Sequence, residues 1–268
     1  MNSSTPVNPS ESGLEIKTWF VRHRNVLVAK AEFSALYVDY YLHLAANKVQ
    51  VAPEHGELFK RALAAFALHV VSRPWAEMTA WTINFQQPLV NLFFTGDNEE
   101  GSLTGRVFDE NVKEMPTQLF FSDVVRDRKP ARRSSVEFTG SDPLGAVETY
   151  YRQSEQRPAR FFQTGEEEFV LVSAHPDYDE AWFEALTVDD VRALFEKEET
   201  TVMETRVERW HCGCNQRRML GVLAPVFRQD ADALFAGDPT VEIRCPRCAA
   251  RHTVTREALE AFVAGGAA

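Results

Sequence analysis

Two helical faces come early in the chain. Phe33, Leu36, Tyr37, Tyr40, Tyr41 and Leu44 recur at the spacing of one helix face, which predicts a helix over about Ser34 to Asn47. Phe59, Leu63, Phe66 and Val70 make a second stripe among alanines over about Glu57 to Ser72, and Pro74 stops it. The period then drops to two. Trp81, Ile83 and Phe85 alternate as a half-buried strand does, and Leu89 to Thr95 is an apolar run before the turn signal Gly96-Asp97-Asn98. Leu103 to Phe108, Gln118 to Phe121 and Ser135 to Phe138 read as further strands. Asp142-Pro143 supplies an N-cap and a proline at the first helical position, so a helix runs through Leu144, Val147 and Tyr151 to about Gln156, where Arg157-Pro158 ends it. Arg160 to Gln163 and Phe169 to Val172 return to the sheet.

Beyond His175 the pattern weakens. Thr187-Val-Asp-Asp opens a helix with Val191, Leu194 and Phe195 as its apolar face, and Glu196 to Val207 reads as a charged connecting segment. A short helix follows over Gln216 to about Leu223, broken by Pro225, and Ala231 to Ala236 is a helical turn or two closed by Gly237. Val241 to Arg244 and Arg251 to Val254 alternate as the arms of a hairpin with Cys245-Pro-Arg-Cys248 at its turn, and a last helix starts at Thr255. The expected fold is α+β: a disordered tail over 1–13, a helix-flanked sheet body over 14–175, a partly helical linker over 176–209 and a small module over 210–264.

Composition narrows the function. The net charge of −10 argues against binding a phosphate backbone, and nine arginines against eight acids from Glu204 onward leave the last segment about neutral. The start, Met-Asn-Ser-Ser-Thr-Pro, does not read as a signal peptide. Ala62 to Val71, the longest mostly apolar run, falls short of the roughly 20 residues a membrane span needs. A cytoplasmic protein is therefore expected, with neither nucleic acid nor membrane as partner. No nucleophile elbow, phosphate-cradling glycine loop or HExxH occurs, so no enzyme is expected.

The chemistry lies in Cys212-Gly-Cys214 and Cys245-Pro-Arg-Cys248, which hold all four cysteines of the chain. Two tight thiol pairs thirty residues apart suit one ion gripped from two sides, and four thiolates are the tetrahedral soft-donor set that Zn2+ prefers. Other uses stay open: an inert zinc clip in a binding or adaptor protein, a nucleic-acid zinc ribbon, or a thiol oxidoreductase using Cys245 and Cys248. The oxidoreductase needs a helix starting at the first cysteine, and Arg251-His252-Thr253-Val254 favours a strand. His211 and His252 flank the site as bystanders, since four thiolates already fill a tetrahedron; His43 and His69 read as ordinary helix residues. The uneven CxC and CxxC spacing favours a switch, because Cys212 can oxidise with Cys214 and Cys245 with Cys248, and oxidised sulfur no longer holds zinc.

This cysteine pattern resembles that of the heat shock protein 33 family of redox-regulated chaperones. Tyr150-Tyr-Arg-Gln-Ser-Glu-Gln-Arg-Pro-Ala-Arg-Phe161 is similar to the family's helix-to-strand segment. The resemblance implies an ATP-independent holdase: zinc-bound when reduced, able to bind unfolding client proteins once oxidised, and a homodimer when activated. It implies that Cys212, Cys214, Cys245 and Cys248 are both zinc ligands and redox-active thiols, and that the linker uncovers an apolar surface when the module melts. A constitutive holdase without redox control is the variant reading. One departure is Ala249, where the family usually has glycine after CxxC.

Overall fold

The computed structural model describes residues 13–126 and 129–266, so the expected N-terminal tail lies, but for Gly13, outside the described residues. Two compact units emerge. The first takes in the described residues up to Tyr41 together with Val51–His211; the second joins Leu42–Gln50 to the chain from Cys212 onward.

In the first unit β1 (Leu14–Val21) and β2 (Val26–Glu32) precede α1 (Ser34–Ala46), whose last turn belongs to the second unit, and α2 (Pro53–Val71). Five strands follow: β3 (Glu77–Gln86), β4 (Leu89–Asp97), β5 (Ser102–Phe108), β6 (Gln118–Arg126) and β7 (Arg132–Phe138), with β6 returning to pair with β3. Then come α3 (Pro143–Tyr150), β8 (Ala159–Gln163), β9 (Glu168–Ala174), three short helices α4 (Glu180–Ala185), α5 (Val188–Arg192) and α6 (Leu194–Lys197), and β10 (Thr200–Trp210). The strands hydrogen-bond in the order β7-β6-β3-β4-β5-β10-β1-β2-β9-β8.

The core forms around α2, in which every side chain from Ala62 to Val71 is buried. A helix apolar on all sides belongs inside a fold, and small alanines let sheet and helix approach closely. Gly96 of β4 belongs to the same fit: a Cβ there would lie 2.9 Å from Leu103 and 3.1 Å from Val70. Asp142 caps α3 as expected, accepting from the Leu144 N–H. The helix then widens into a π-turn over Tyr151–Glu155 and ends at Gln156 with φ of 54°. That turn delivers Glu155 to the buried Arg73 guanidinium at 2.7 Å and to the Tyr150 hydroxyl, which donates to it at 2.7 Å. This is the structural use of the Ser154-Glu155-Gln156 segment.

The segment expected as a linker is folded. Thr187 opens α5 with a reciprocal capping box to Asp190. Glu196 to Val207, expected as a connection with a helix in it, instead gives the end of α6 and most of an eleven-residue strand. β10 pairs antiparallel with β1 along its length and parallel with β5 through only two residues, Arg209 opposite Ser102 and Trp210 opposite Leu103. Its polarity is inverted. Arg206 and Glu208 point inward and are buried, while Val202, Met203 and Val207 are exposed. Arg206 is satisfied in part: its Nη1 donates to the Arg73 carbonyl at 3.0 Å and its guanidinium lies 4.3 Å from the Trp75 ring.

Glu208 is less well provided for. Its Oε2 finds no hydrogen-bond partner among the described residues, and burial pushes its pKa up to about 7 from an ordinary 4.5, against the opposing pull of Arg206. The folded chain holds this proton more tightly than the unfolded chain does. The penalty is therefore absent below about pH 4.5, grows between 4.5 and 7, and is complete above 7. A shift of that size corresponds to about 3 kcal/mol when complete. Glu208→Gln is expected to stabilise the chain by roughly 1–3 kcal/mol at pH 8.5 and hardly at all at about pH 4. Thermal unfolding at the two pH values checks this, and an equal gain at both would contradict it.

Candidate metal centre

The second unit builds its chemistry on a small frame. α7 (Gln216–Gln229) starts from Asn215, whose side chain accepts from the Arg218 N–H, and α8 (Ala231–Phe235) from Asp230, which accepts from Ala233. β11 (Thr240–Arg244) and β12 (Arg251–Thr255) form the expected hairpin, and α9 (Arg256–Ala264) is capped by Thr255. Contrary to expectation α7 continues through Pro225. Met219, Leu223 and Ala224 are buried in it, and that packing outweighs the one backbone bond the proline cannot make. The core around them is modest: Phe235, Val254 and Leu259 complete it with Cys245 and Cys248.

Two tight turns aim the sulfurs. Gly213 takes φ of 62°, a left-handed conformation that glycine adopts without strain, so Cys212 and Cys214 can face the same point. At the hairpin tip the Cys245 N–H donates to the Ala250 carbonyl at 2.8 Å and the Ala249 N–H to the Cys245 carbonyl at 2.9 Å. Ala249 closes this knuckle with φ of 61°, which accounts for the glycine expected there; an alanine in that region costs about 1–2 kcal/mol.

All four cysteines are free, and their sulfurs lie within 4.8 Å of one another. Cys212 and Cys245 stand 3.7 Å apart, as do Cys214 and Cys248. A tetrahedron with metal–sulfur bonds of about 2.3 Å has edges of about 3.8 Å, so the spacing suits a closed four-thiolate site and is far too long for a disulfide. The electrostatics agree. Hydrogen bonds from Cys212 and then Cys248 hold Cys245 far below the ordinary thiol range, helped by the Arg247 and Cys248 backbone N–H groups. Cys212 is pushed up to about 12, first by its bond to Cys245. Cys214 is raised by burial and then by the charge on Cys245, and Cys248 by its bonds to Cys212 and Cys245. Among sulfurs this close one ionisation disfavours the next, and a cation at their centre would remove that cost. The residues present thus fit a divalent soft-ligand metal.

The second unit also recruits chain from far upstream. His43 Nε2 lies 2.7 Å from the Cys248 carbonyl, and Asn47 Oδ1 accepts from the Arg251 N–H at 3.0 Å. Neither His43, expected as an ordinary helix residue, nor Asn47 carries a local signal of this role, because some two hundred residues separate them from the knuckle. His252 is likewise placed beside the cluster, with Nε2 3.3 Å from the Cys214 sulfur. His211 is exposed and His69 is buried in α2, and both belong to the first unit.

Comparison with known proteins agrees with this geometry. A family model described as Hsp33 protein matches residues 172–255. The 33 kDa chaperonin of Proteus mirabilis (strain HI4320) is 22% identical over 207 residues, which cover 63% of this chain and 70% of that protein. The crystal structure of the 33 kDa chaperonin (heat shock protein 33 homolog) of Thermotoga maritima superposes with a TM-score of 0.72. It covers 94% of this chain and 98% of that one at 15% identity, which speaks for the fold.

Proposed function

Because the chain belongs to the Hsp33 family, we propose that it is an ATP-independent holdase, a chaperone that binds unfolding client proteins when a four-cysteine Zn2+ centre is oxidised. Cys212, Cys214, Cys245 and Cys248 hold one Zn2+ in the reduced protein. The bound ion neutralises the crowded thiolates and ties the two cysteine motifs together. Under peroxide Cys212 joins Cys214 and Cys245 joins Cys248. Each thiol pair gives up two electrons and two protons as its S–S bond forms, and one peroxide takes them, its O–O bond breaking to leave two waters. The module then loses the link that offsets its small core, and the protein acts in the cytoplasm on partly unfolded chains.

The observation that carries this reading is the continuity between strand and site. Trp210, the last residue of β10, packs its ring on Tyr40 at 5.2 Å and Phe59 at 6.3 Å, and Cys212 follows two residues later. Melting the module frees the end of a strand that also holds buried Arg206 and Glu208, and its withdrawal bares aromatic surface for clients. No helix among the described residues is long and apolar enough to cross a membrane. The test is to measure bound zinc before and after peroxide, together with light scattering from a thermally unfolding client. The expected result is zinc release together with suppressed aggregation. Zinc retention with no suppression in either state contradicts the proposal, and suppression in both states indicates a constitutive holdase.

A further inference from the structure

His252 sits in β12 opposite Ile243 across the hairpin, half-buried, with Nε2 3.3 Å from the Cys214 sulfur. Strand register sets this contact. The neighbouring Arg251 N–H is fixed by Asn47, and the knuckle before it by the His43 contact to the Cys248 carbonyl, so the hairpin arm that carries the ring is held at its base. A thiolate only accepts, so the imidazole nitrogen facing it is the one that bears hydrogen. Four sulfurs already complete a tetrahedron. The ring therefore meets the centre from outside, through one of its ligands.

We infer that His252 is a positioning residue of the metal centre: its Nε2–H donates to the Cys214 sulfur, aims that ligand, and lowers the reactivity of its lone pairs toward oxidant. The inference rests on the zinc reading of the four cysteines and gives it a regulator, since it makes Cys214 the tempered member of the set. Hydrogen bonds to metal ligands orient them and tune the metal, and losing one typically costs 10–100-fold in affinity or activity. The effect of His252 is expected at the lower end, because it orients one ligand of four.

The experiment uses the full chain loaded with Zn2+, and in parallel with Co2+, as wild type, His252→Phe and His252→Gln. Phenylalanine keeps the ring's bulk without its N–H, and glutamine offers an N–H from a different frame. His252→Phe is expected to release zinc to a chromophoric chelator about tenfold faster under peroxide. Its thiolate-to-cobalt absorption band should shift to lower energy, and Cys214 should be alkylated earlier in a mass-spectrometric time course. His252→Gln should stay near wild type on all three. Unchanged release and an unchanged cobalt band in His252→Phe overturn the inference. Equal loss in both variants also overturns it, because the ring itself and not its N–H would then matter. A wild-type cobalt spectrum of three sulfurs and one nitrogen overturns it too, by making His252 a ligand. Failure of the wild type to bind either ion is a different outcome and removes the zinc reading along with the inference.

Discussion

Stripping the metal from the reduced chain with a strong chelator is expected to unfold residues 212–264 while the first unit persists. The second unit offers few large apolar groups, chiefly Met219, Leu223, Phe235, Val254 and Leu259. A core that small contributes no more than a few kcal/mol against the entropy of ordering more than fifty residues. A four-thiolate zinc site contributes roughly 10–16 kcal/mol at neutral pH in small domains. With the proposed zinc bound, the balance therefore turns on the ion. Trypsin should then cut within minutes after Arg217, Arg218 and Arg228, which lie on or beside α7, whereas α2 and the strands around it remain protected. Cys248→Ser should produce the same digest without chelator. A metal-free chain that resists trypsin at these arginines would show that the packing suffices alone.

Arg73→Met is expected to cost about 3–5 kcal/mol, the range seen when one member of a buried ion pair is removed. The Arg73 guanidinium lies between Glu77 at 2.9 Å and Glu155 at 2.7 Å, and all three side chains are no more than 14% exposed. Without it two carboxylates face each other out of water. The midpoint of urea unfolding should fall accordingly, and Arg73→Met combined with Glu155→Gln should recover part of the loss. If the single variant loses less than about 1 kcal/mol, the network is more solvated than its burial indicates.

The parts of this fold that show in the sequence are those where local chemistry and tertiary placement agree. Asp142-Pro143, the Thr187 capping box and the alternation of Trp81, Ile83 and Phe85 each carry their signal within a few residues, and each forms the element expected. The cysteine spacing is legible for the same reason, since the ligand turns are local and only their meeting is not. β10 escapes because its alternation is reversed: charges face in at Arg206 and Glu208, and the apolar Val202 and Val207 face out. β1 escapes partly because a register shift between Thr18 and Trp19 breaks its period of two. The hydrogen bonds made by His252, His43 and Asn47 depend on which distant segments meet, and no window along the chain contains both partners.

The pairing of β1 with β10 also sets an order of events during synthesis. Leu14 lies opposite Glu208 and Val21 opposite Thr200, so one edge of β1 pairs locally with β2 while its other edge waits for residues nearly two hundred positions later. At about 5–20 residues per second a ribosome needs roughly ten to forty seconds to deliver them. The other edge of β2 waits about 140 residues for β9, whereas β3 to β7 can pair among themselves as they emerge. Contacts of such long range close slowly. The strand that completes the sheet on the nascent chain is thus the one that runs directly into Cys212, and the last joint made in assembly is the first that loss of the proposed ion would reach.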